Sequence, residues 1–373
     1  MNTTIQIARL TVFEEMVRAA IHAPSADNNQ PWQFVADGER LAVFLDRARA
    51  LPSDVNGMFD LTALGAAIEN ACLAARKLGY IPNVRYDDSN KGTAPFFTAP
   101  SPDSKLIATI DLVAGDASDS LVDWVTQRCT CRKLYSTRPV GAETLDQLAG
   151  ETSGIDDVRL DWLSDRSQIR TFARLVATSD RFRFQYEPFH AELYRQLRFT
   201  VDEVERSGDG LDVRTLELPP GGAAVLRWLG NWNRMRQLSR WGLDRLLTIP
   251  SAQAVWRSGA VGILSVGEST AEAFIRGGRV FQRIWLRATA EGLAMHPLGS
   301  LPIFLAHLQQ YEGQDLRDKD RILTARLGAE LHRLTAGTQD RIIQIVFRVG
   351  YGPQQTERSR RRPAGDVFQS VES

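Results

Sequence analysis

Cysteine and histidine are scarce in this chain of 373 residues, and long hydrophobic runs are missing. The three cysteines, Cys72, Cys129 and Cys131, are too few for a disulfide framework, and no histidine–cysteine cluster has the spacing of zinc ligands. No stretch of about 18 apolar residues occurs, which argues against an ordinary transmembrane helix. The start of the chain lacks an apolar run behind a basic segment, so we predict no signal peptide. We expect a soluble, cytoplasmic protein without a metal site.

An excess of charge of either sign is also missing. The 45 lysines and arginines balance the 45 aspartates and glutamates, so no global field exists to hold nucleic acid or an anionic membrane. We expect neither partner, although this balance leaves room for a local basic patch. The composition, 43% hydrophobic and 24% charged, is that of a globular protein and excludes collagen-like and disordered chains.

The spacing of apolar residues predicts helices that alternate with short strands. Helices are expected over residues 11–23, 60–79, 121–128, 143–150 and 271–292, and strands over residues 41–45, 83–86, 106–113, 158–163, 260–266 and 341–349. Residues 92–104, with three prolines, predict a loop. Residues 168–250 predict a long helical region, broken at residues 208–210 and 219–222 by glycine and proline.

Two of the predicted helices resemble each other. Matching Gly65 with Gly278 also brings Leu73 opposite Leu286 and Gly79 opposite Gly292. Amphipathic helices often look alike by chance, but glycines matched at two positions, with strands before and after each helix, favour an internal duplication. We therefore predict two halves, residues 1–115 and 116–373, with a helical insertion at about 168–250 in the second half.

The polar loop at residues 23–32 reads A-P-S-A-D-N-N-Q-P-W. Its prolines shape turns, and Ser25 and Asn28 offer short hydrogen-bonding groups that suit the polar edge of a heteroaromatic ring. The string resembles the A-P-S-x-x-N-x-Q-P-W pattern of the flavin-contacting loop in the nitroreductase superfamily. A plain helix-capping loop is the alternative interpretation.

Three further strings resemble flavin-binding segments of the same superfamily. Residues 128–132, R-C-T-C-R, match the R-x-[ST]-x-[RK] motif that holds the FMN phosphate and pyrimidine edge, a task that suits the arginine fork. Residues 292–300 match the turn that meets flavin N5 in this superfamily, but they lack the glutamate–glycine pair that is commoner there. Residues 358–363 match the basic run that the superfamily carries just before a proline. The alternative interpretation is that these arginines are solvated at the surface and that His296, beside the turn, has only a structural role. The resemblance implies as flavin-binding residues Pro24, Ser25, Asn28, Gln30, Arg128, Cys129, Thr130, Arg132, Pro297, Leu298, Gly299, Ser300, Arg360 and Arg361.

The strings are divided between the two halves. The first half carries the A-P-S loop, and the second carries the arginine string, the turn and the basic run. This division resembles the duplicated, Acg-type branch of the superfamily. It implies an α+β nitroreductase-like fold, in which two fused half-repeats form a pseudo-dimer around one FMN. A monomer would then hold a complete site, and a higher oligomer is left open.

The resemblance also implies an activity. In this implied reaction, NAD(P)H donates hydride to flavin N5, and a nitroaromatic, quinone or similar small molecule accepts the electrons. Because the flavin carries out the chemistry, no catalytic acid or base is required. Two alternatives remain: a non-catalytic, stress-associated protein that sequesters FMN under a lid formed by residues 168–250, and an oxygen-dependent flavin dehydrogenase. The tryptophans of this region are expected in packing or in the lid: Trp228, Trp232, Trp241 and Trp256.

Overall fold

The computed structural model describes residues 3–87, 97, 99–314, 316–335, 337–355 and 357–371, so residues 92–96 and 98 of the predicted loop lie outside it. The helices are α1 (Thr3–Ala20), α2 (Met58–Lys77), α3 (Ala142–Gly150), α4 (Arg166–Gln185), α5 (Glu187–Gln196), α6 (Val201–Ser207), α7 (Gly222–Leu229), α8 (Trp232–Arg240), α9 (Asp244–Leu247), α10 (Ile249–Trp256), α11 (Ala271–Ala290), α12 (Ser300–Tyr311) and α13 (Asp318–Leu334). The strands are β1 (Trp32–Ala36), β2 (Arg40–Asp46), β3 (Tyr80–Tyr86), β4 (Ser104–Ala114), β5 (Val158–Leu163), β6 (Leu197–Arg198), β7 (Leu211–Asp212), β8 (Ala260–Val266), β9 (Ala294–Leu298), β10 (Ile342–Gly350) and β11 (Phe368–Ser370).

Each half of the chain builds one mixed layer of sheet and helix. The first sheet has the order β11-β1-β2-β4-β3, and the second has the order β5-β8-β10-β9. Strand β11 comes from the end of the second half and pairs in parallel with β1, with Phe34 opposite Phe368. The C-terminal arm therefore leaves its own half and completes the sheet of the other. The fold is α+β, with two fused half-repeats as predicted.

The two matched helices, α2 and α11, pack directly against each other. A Cβ atom added to Gly65 would lie 2.2 Å from the carbonyl oxygen of Ile275, and one added to Gly278 would lie 2.2 Å from that of Thr62. The glycines matched in the sequence are thus the points where the two backbones approach most closely, since no side chain fits there. The repeat predicted from this match is the central helix pair of the pseudo-dimer.

Helix α2 has few polar side chains because it lies in the interior. The segment Val55–Lys77 is long and apolar enough to cross a membrane by length and composition, yet its most apolar window is entirely buried in the protein. These are the properties of a core helix. Of its buried polar groups, Asn70 accepts a hydrogen bond of 2.8 Å from Gln282 on α11 and donates one of 3.1 Å to the carbonyl oxygen of Ala19, which compensates its amide for the loss of water.

The predicted strands correspond to β2, β3, β4, β5, β8 and β10, but the predicted helix over residues 121–128 is wrong. Only a short 3-10 turn forms, over Ser120–Trp124. The backbone N–H groups of Val122, Val125 and Gln127 bond to the carbonyl oxygen three residues before each, so the segment forms 3-10 turns in place of an α-helix. The Arg358 guanidinium, from the C-terminal arm, donates hydrogen bonds of 2.6 and 2.9 Å to the carbonyl oxygens of Thr126 and Gln127.

We expect Gly65→Ala to lower the free energy of unfolding by at least about 2 kcal/mol, because the added methyl group forces α2 away from α11. Gly150→Ala is the matched control, since its Cβ meets no atom within 4 Å, and we expect a change within about 1 kcal/mol. Chemical denaturation of both variants measures the difference. Equal unfolding midpoints would show that the glycine contact does not constrain the helix pair.

Candidate functional site

A cavity of about 770 Å³ opens where the two halves and the insertion meet. The first half contributes residues 24–27 of the polar loop and the N-terminal part of α2, including Phe59. The second half contributes Phe281 and Trp285 of α11. Much of the remaining wall comes from the insertion, chiefly leucines of α5, α7 and α9 and the turn at residues 218–222.

The cavity brings together residues from three of the four strings singled out in the sequence. The loop and the arginine string come from opposite halves, and Thr130 forms a bridge to Met295, directly before the turn. Gly299 then precedes α12, so strand, turn and helix follow one another at the cavity wall. The predicted residues that line the cavity are Pro24, Ser25, Thr130, Arg132, Pro297, Leu298, Gly299 and Ser300.

Asn28 and Gln30 do not line the cavity, although they belong to the flavin-loop pattern. The Asn28 amide donates hydrogen bonds of 3.1 Å to the carbonyl oxygens of Gly210 and Arg360. The Gln30 amide donates one of 2.8 Å to Gly208 and accepts one of 2.9 Å from the Arg362 backbone N–H. The two amides therefore tie the loop to the insertion and to the C-terminal arm.

The backbone of this loop is strained. Asp27, Asn28 and Gln30 have φ values of 48°, 57° and 51°, in the left-handed region that non-glycine residues rarely adopt. The hydrogen bonds of Asn28 and Gln30 offset that cost. The loop consequently depends for its shape on residues that are distant in sequence.

Two arginines from different strings meet behind the loop. Arg128 donates a hydrogen bond of 2.9 Å to the carbonyl oxygen of His22 and lies 4.4 Å over the Trp285 ring, and Arg361 donates one of 3.2 Å to that of Ala23. The Nε atoms of both arginines are buried and have no hydrogen-bond partner among the described residues. Cys129, which follows Arg128 in the sequence, is half-buried and does not line the cavity. Arg360 is exposed and does not line it either.

The two guanidinium groups destabilise each other's charge. Burial and then the charge of Arg361 lower the pKa of Arg128 to about 9, and burial lowers the pKa of Arg361 to about 10. Burial, followed by the charges of Arg361, Arg128 and Arg358, lowers the pKa of His22. Such unneutralised cations with free donors are the chemistry of an anion site.

Arg348 is a buried residue of the site that sequence analysis missed. From β10 it donates hydrogen bonds of 3.1 and 2.9 Å to the carbonyl oxygens of Cys131 and Lys133, which fixes the arginine string. Its Nε donates one of 3.2 Å to Nδ1 of His296. The available signal was an arginine inside the apolar run of β10, I-I-Q-I-V-F-R-V-G.

The contact with Arg348 sets the state of His296. Burial, then the charges of Arg348 and Arg132, lower the pKa of His296 well below its ordinary value, so the ring is neutral. Because Nδ1 accepts from Arg348, the hydrogen of the ring is on Nε2. The Arg132 guanidinium donates hydrogen bonds of 3.4 Å to the carbonyl and hydroxyl oxygens of Thr215. The cavity wall therefore carries the neutral ring of His296 beside the cations of Arg132 and Arg183.

The opposite end of the α2–α11 pair is built differently. There a cavity of about 460 Å³ is lined by Glu69, Arg279, Arg283 and Glu151. Arg279 and Arg283 lie 2.9 and 3.0 Å from Glu69, and Arg283 lies 2.8 Å from Glu151. Burial raises the pKa of Glu69, but the two arginines outweigh it and lower the pKa overall. Ion pairs between arginine and glutamate thus line this second cavity, in contrast to the apolar wall of the first.

A group of carboxylates lies beside the first cavity. Glu192 of α5 accepts a hydrogen bond of 2.8 Å from the Ser53 backbone N–H. Asp54 accepts hydrogen bonds of 2.9 Å from the backbone N–H groups of Phe59 and Asp60, at the start of α2. Burial, then the charge of Asp60, raises the pKa of Asp54 to about 8, and burial raises the pKa of Asp60 to about 6.

These raised pKa values predict that the protein loses stability as pH rises. Unfolded aspartate ionises near pH 3.9, so between about pH 4 and pH 8 the folded state holds more protons than the unfolded state. We expect the free energy of unfolding to fall by on the order of 2 kcal/mol across that window. Asp60→Asn should flatten the dependence in a denaturation series, whereas Asp146→Asn, on the exposed face of α3, should not. A parallel decline in both variants would contradict the assignment.

Comparison with known proteins gives relatives but no matching family model. The chain is 30% identical over 358 residues to an uncharacterized protein of Mycobacterium tuberculosis (strain CDC 1551 / Oshkosh), covering 94% of this chain and 47% of that protein. It is 27% identical over 191 residues to a protein of the same strain named "Putative NAD(P)H nitroreductase acg", covering 49% of this chain and 53% of that protein. The chain thus spans about half the length of the curated relatives it matches.

Solved structures give remoter matches. The FMN-dependent nitroreductase NfnB from Mycobacterium smegmatis, in complex with NADPH, is 16% identical, with a TM-score of 0.37, covering 67% of this chain and 97% of that one. A nitroreductase with bound FMN from Bacteroides fragilis is 11% identical, with a TM-score of 0.36, covering 65% and 94%. By its sequence relatives and its two-half α+β architecture, the chain resembles the nitroreductase superfamily, and within it the Acg-like branch.

Proposed function

We propose that the chain binds one FMN in the 770 Å³ cavity and acts as an NAD(P)H-dependent oxidoreductase. The observation that supports this best is the meeting of Ser25 from the first half with Arg132 and Gly299 from the second in one cavity. The relatives named as nitroreductases favour the same chemistry. The acceptor would be a nitroaromatic, a quinone or a similar small molecule.

The residues present fit FMN. Arg128 and Arg361 lie behind the loop and do not line the cavity, but their buried, unpartnered Nε atoms are donors that a phosphate group reaching past the loop would satisfy. Arg132 and the neutral His296 would serve the polar edge of the ring. Phe281 and Trp285 supply an apolar wall against its face.

When bound, FMN would supply the transfer of hydride and electrons between NAD(P)H and the acceptor. The contribution of the chain is to bind and orient the flavin and its substrates and to exclude water from the cavity. The cation of Arg132 would stabilise negative charge that develops near it, and Arg348 would keep Arg132's neighbours in place through its bonds to Cys131 and Lys133. No side chain is assigned as a catalytic acid or base.

A sequestering role for the same cavity is the second candidate, and the contacts of the insertion favour it. Asp209 pairs with Arg49 of the first half and lies 2.6 Å from Arg198. Together with the bonds of Asn28 and Gln30 to residues 208–210, the pair with Arg49 fastens the insertion beside the flavin loop, whereas the pair with Arg198 lies within the insertion. In this role the fastened insertion would keep a reduced nicotinamide away from the loop side of the cavity.

The compartment and the assembly are part of the proposal. All three cysteines are free thiols, as the reducing cytoplasm would leave them. A single chain contributes both halves of the cavity, so we propose a monomer that is complete for one FMN.

We expect Arg361→Ala to weaken FMN binding about tenfold to a hundredfold, because a charge-assisted hydrogen bond contributes about 1.5–3 kcal/mol. Arg128→Ala should weaken FMN binding to a similar extent. Arg360→Ala is the matched control, since this neighbour is exposed. Fluorescence titration of the apoprotein with FMN gives the affinity, and its end point should be one FMN per chain. Equal affinities of the Arg360 and Arg361 variants would refute the phosphate assignment, and two FMN per chain would refute the pseudo-dimer site.

We expect Asp209→Ala to accelerate reduction of the bound flavin by NADPH about two- to tenfold, because it removes the partly exposed ion pair with Arg49 that ties the insertion to the first half. Stopped-flow absorbance measures the rate. Asp202→Ala, on the exposed side of α6, is the control and should leave it unchanged. Dithionite should bleach all three proteins alike. An unchanged rate in Asp209→Ala would exclude a gate at this place.

A further inference from the structure

The surface of α7–α10 differs in charge from the rest of the chain. Residues 222–257 contain six arginines, no lysine, no glutamate and a single aspartate, Asp244. That aspartate is buried and lies 3.1 Å from Arg181 of α4, so it does not offset the charge at the surface. The balanced composition of the whole chain conceals this basic segment.

The same surface surrounds the mouth of the large cavity. Leu218, Val225 and Leu246 line the cavity and are nevertheless 36%, 55% and 59% exposed, so they mark its rim. Trp228 is half exposed and lies three residues after Val225, on the neighbouring turn of α7. Trp241, just before α9, is 76% exposed. Large apolar side chains with this exposure, on the segment that forms the rim of an open cavity, are typical of a surface that binds a partner.

The arginines of this surface are free to bind an external anion. Arg227, Arg234, Arg236, Arg240 and Arg245 are exposed, and none of them forms an ion pair with a carboxylate among the described residues. Arg234 lies 5.1 Å over the ring of Trp228, which joins a cation to an exposed aromatic side chain.

We propose that this surface seats the mouth of the cavity on a membrane that contains anionic lipids. The interfacial layer of a bilayer favours surfaces that combine tryptophan and arginine with exposed aliphatic side chains. There the tryptophan rings and leucines enter the acyl boundary, and the guanidinium groups bind the lipid phosphates. A nucleic acid would satisfy the arginines but would leave Leu246, Val225 and Ile249 against a polar backbone.

Docking in this orientation has a consequence for the ligand. The wall of the cavity behind the rim is formed by apolar side chains of the insertion, among them Leu193, Leu211 and Leu226. A lipid-soluble ligand with an apolar chain would pass from the bilayer into this wall without crossing water. This extends the proposed function by naming a class of acceptor, but the docking itself does not depend on bound FMN.

The test is flotation of the full chain, without added FMN, with vesicles of phosphatidylcholine alone or mixed with phosphatidylglycerol. We expect binding only to the mixed vesicles and a decrease as salt is raised. Arg236→Gln combined with Arg240→Gln should weaken the partitioning about tenfold or more, since each arginine near an anionic surface contributes about fivefold. Trp241→Ser should weaken it and leave the salt dependence unchanged.

The control is Arg326→Gln combined with Arg333→Gln, which removes the same charge from the exposed side of α13 and should bind like the unchanged protein. Thermal unfolding confirms that each variant is folded. Absence of binding to the mixed vesicles at low salt would overturn the proposal, as would an equal loss in the control. Binding to duplex DNA without binding to vesicles would assign the surface to nucleic acid instead, and would leave the FMN proposal untouched.

Discussion

The contact between α2 and α11 at Gly65 and Gly278 is the constraint on which the rest of the structure depends. Because neither glycine has a side chain, the helices approach until each lies against a carbonyl oxygen of the other. That distance decides where Phe59 and Thr62 of α2 stand relative to Phe281 and Trp285 of α11, and these residues form the inner wall of the large cavity. A wider separation would leave that wall open between the halves.

The helix pair is nearly symmetric, but its two ends have opposite physical characters. One end keeps an apolar cavity with donors at its edge, and the other has a smaller cavity lined by Glu69 and its arginines. A buried carboxylate that loses one partner destabilises a protein strongly, so the charged end tolerates little change. The duplicated chain thus holds one end rigid through ion pairs and leaves the other available for a ligand.

Sequence patterns predicted the parts of the site that are local and missed those that depend on distant contacts. The glycine match, the turn at Gly299 and the breaks in the insertion followed from residue type alone. Arg348 was missed because its role comes from the carbonyls of Cys131 and Lys133, which β10 reaches only in the folded protein. The helix predicted over residues 121–128 is a 3-10 segment, and Arg358 binds the carbonyl oxygens at its end from a distance, which residue type did not indicate. The motif also did not separate residues facing the cavity from Asn28 and Gln30, which hold the loop from behind.

The pairing of β11 with β1 makes the loop at residues 23–32 depend on a segment that is very distant in sequence. Arg361 precedes this strand and donates a hydrogen bond of 2.8 Å to Asn28, 333 residues earlier in the chain. The strained loop at residues 27–30 therefore lacks its stabilising partners until the C-terminal arm has folded onto the first half. Because contacts of such long sequence separation form slowly, we expect the cavity wall at residues 24–27 to be among the last parts of the structure to fold.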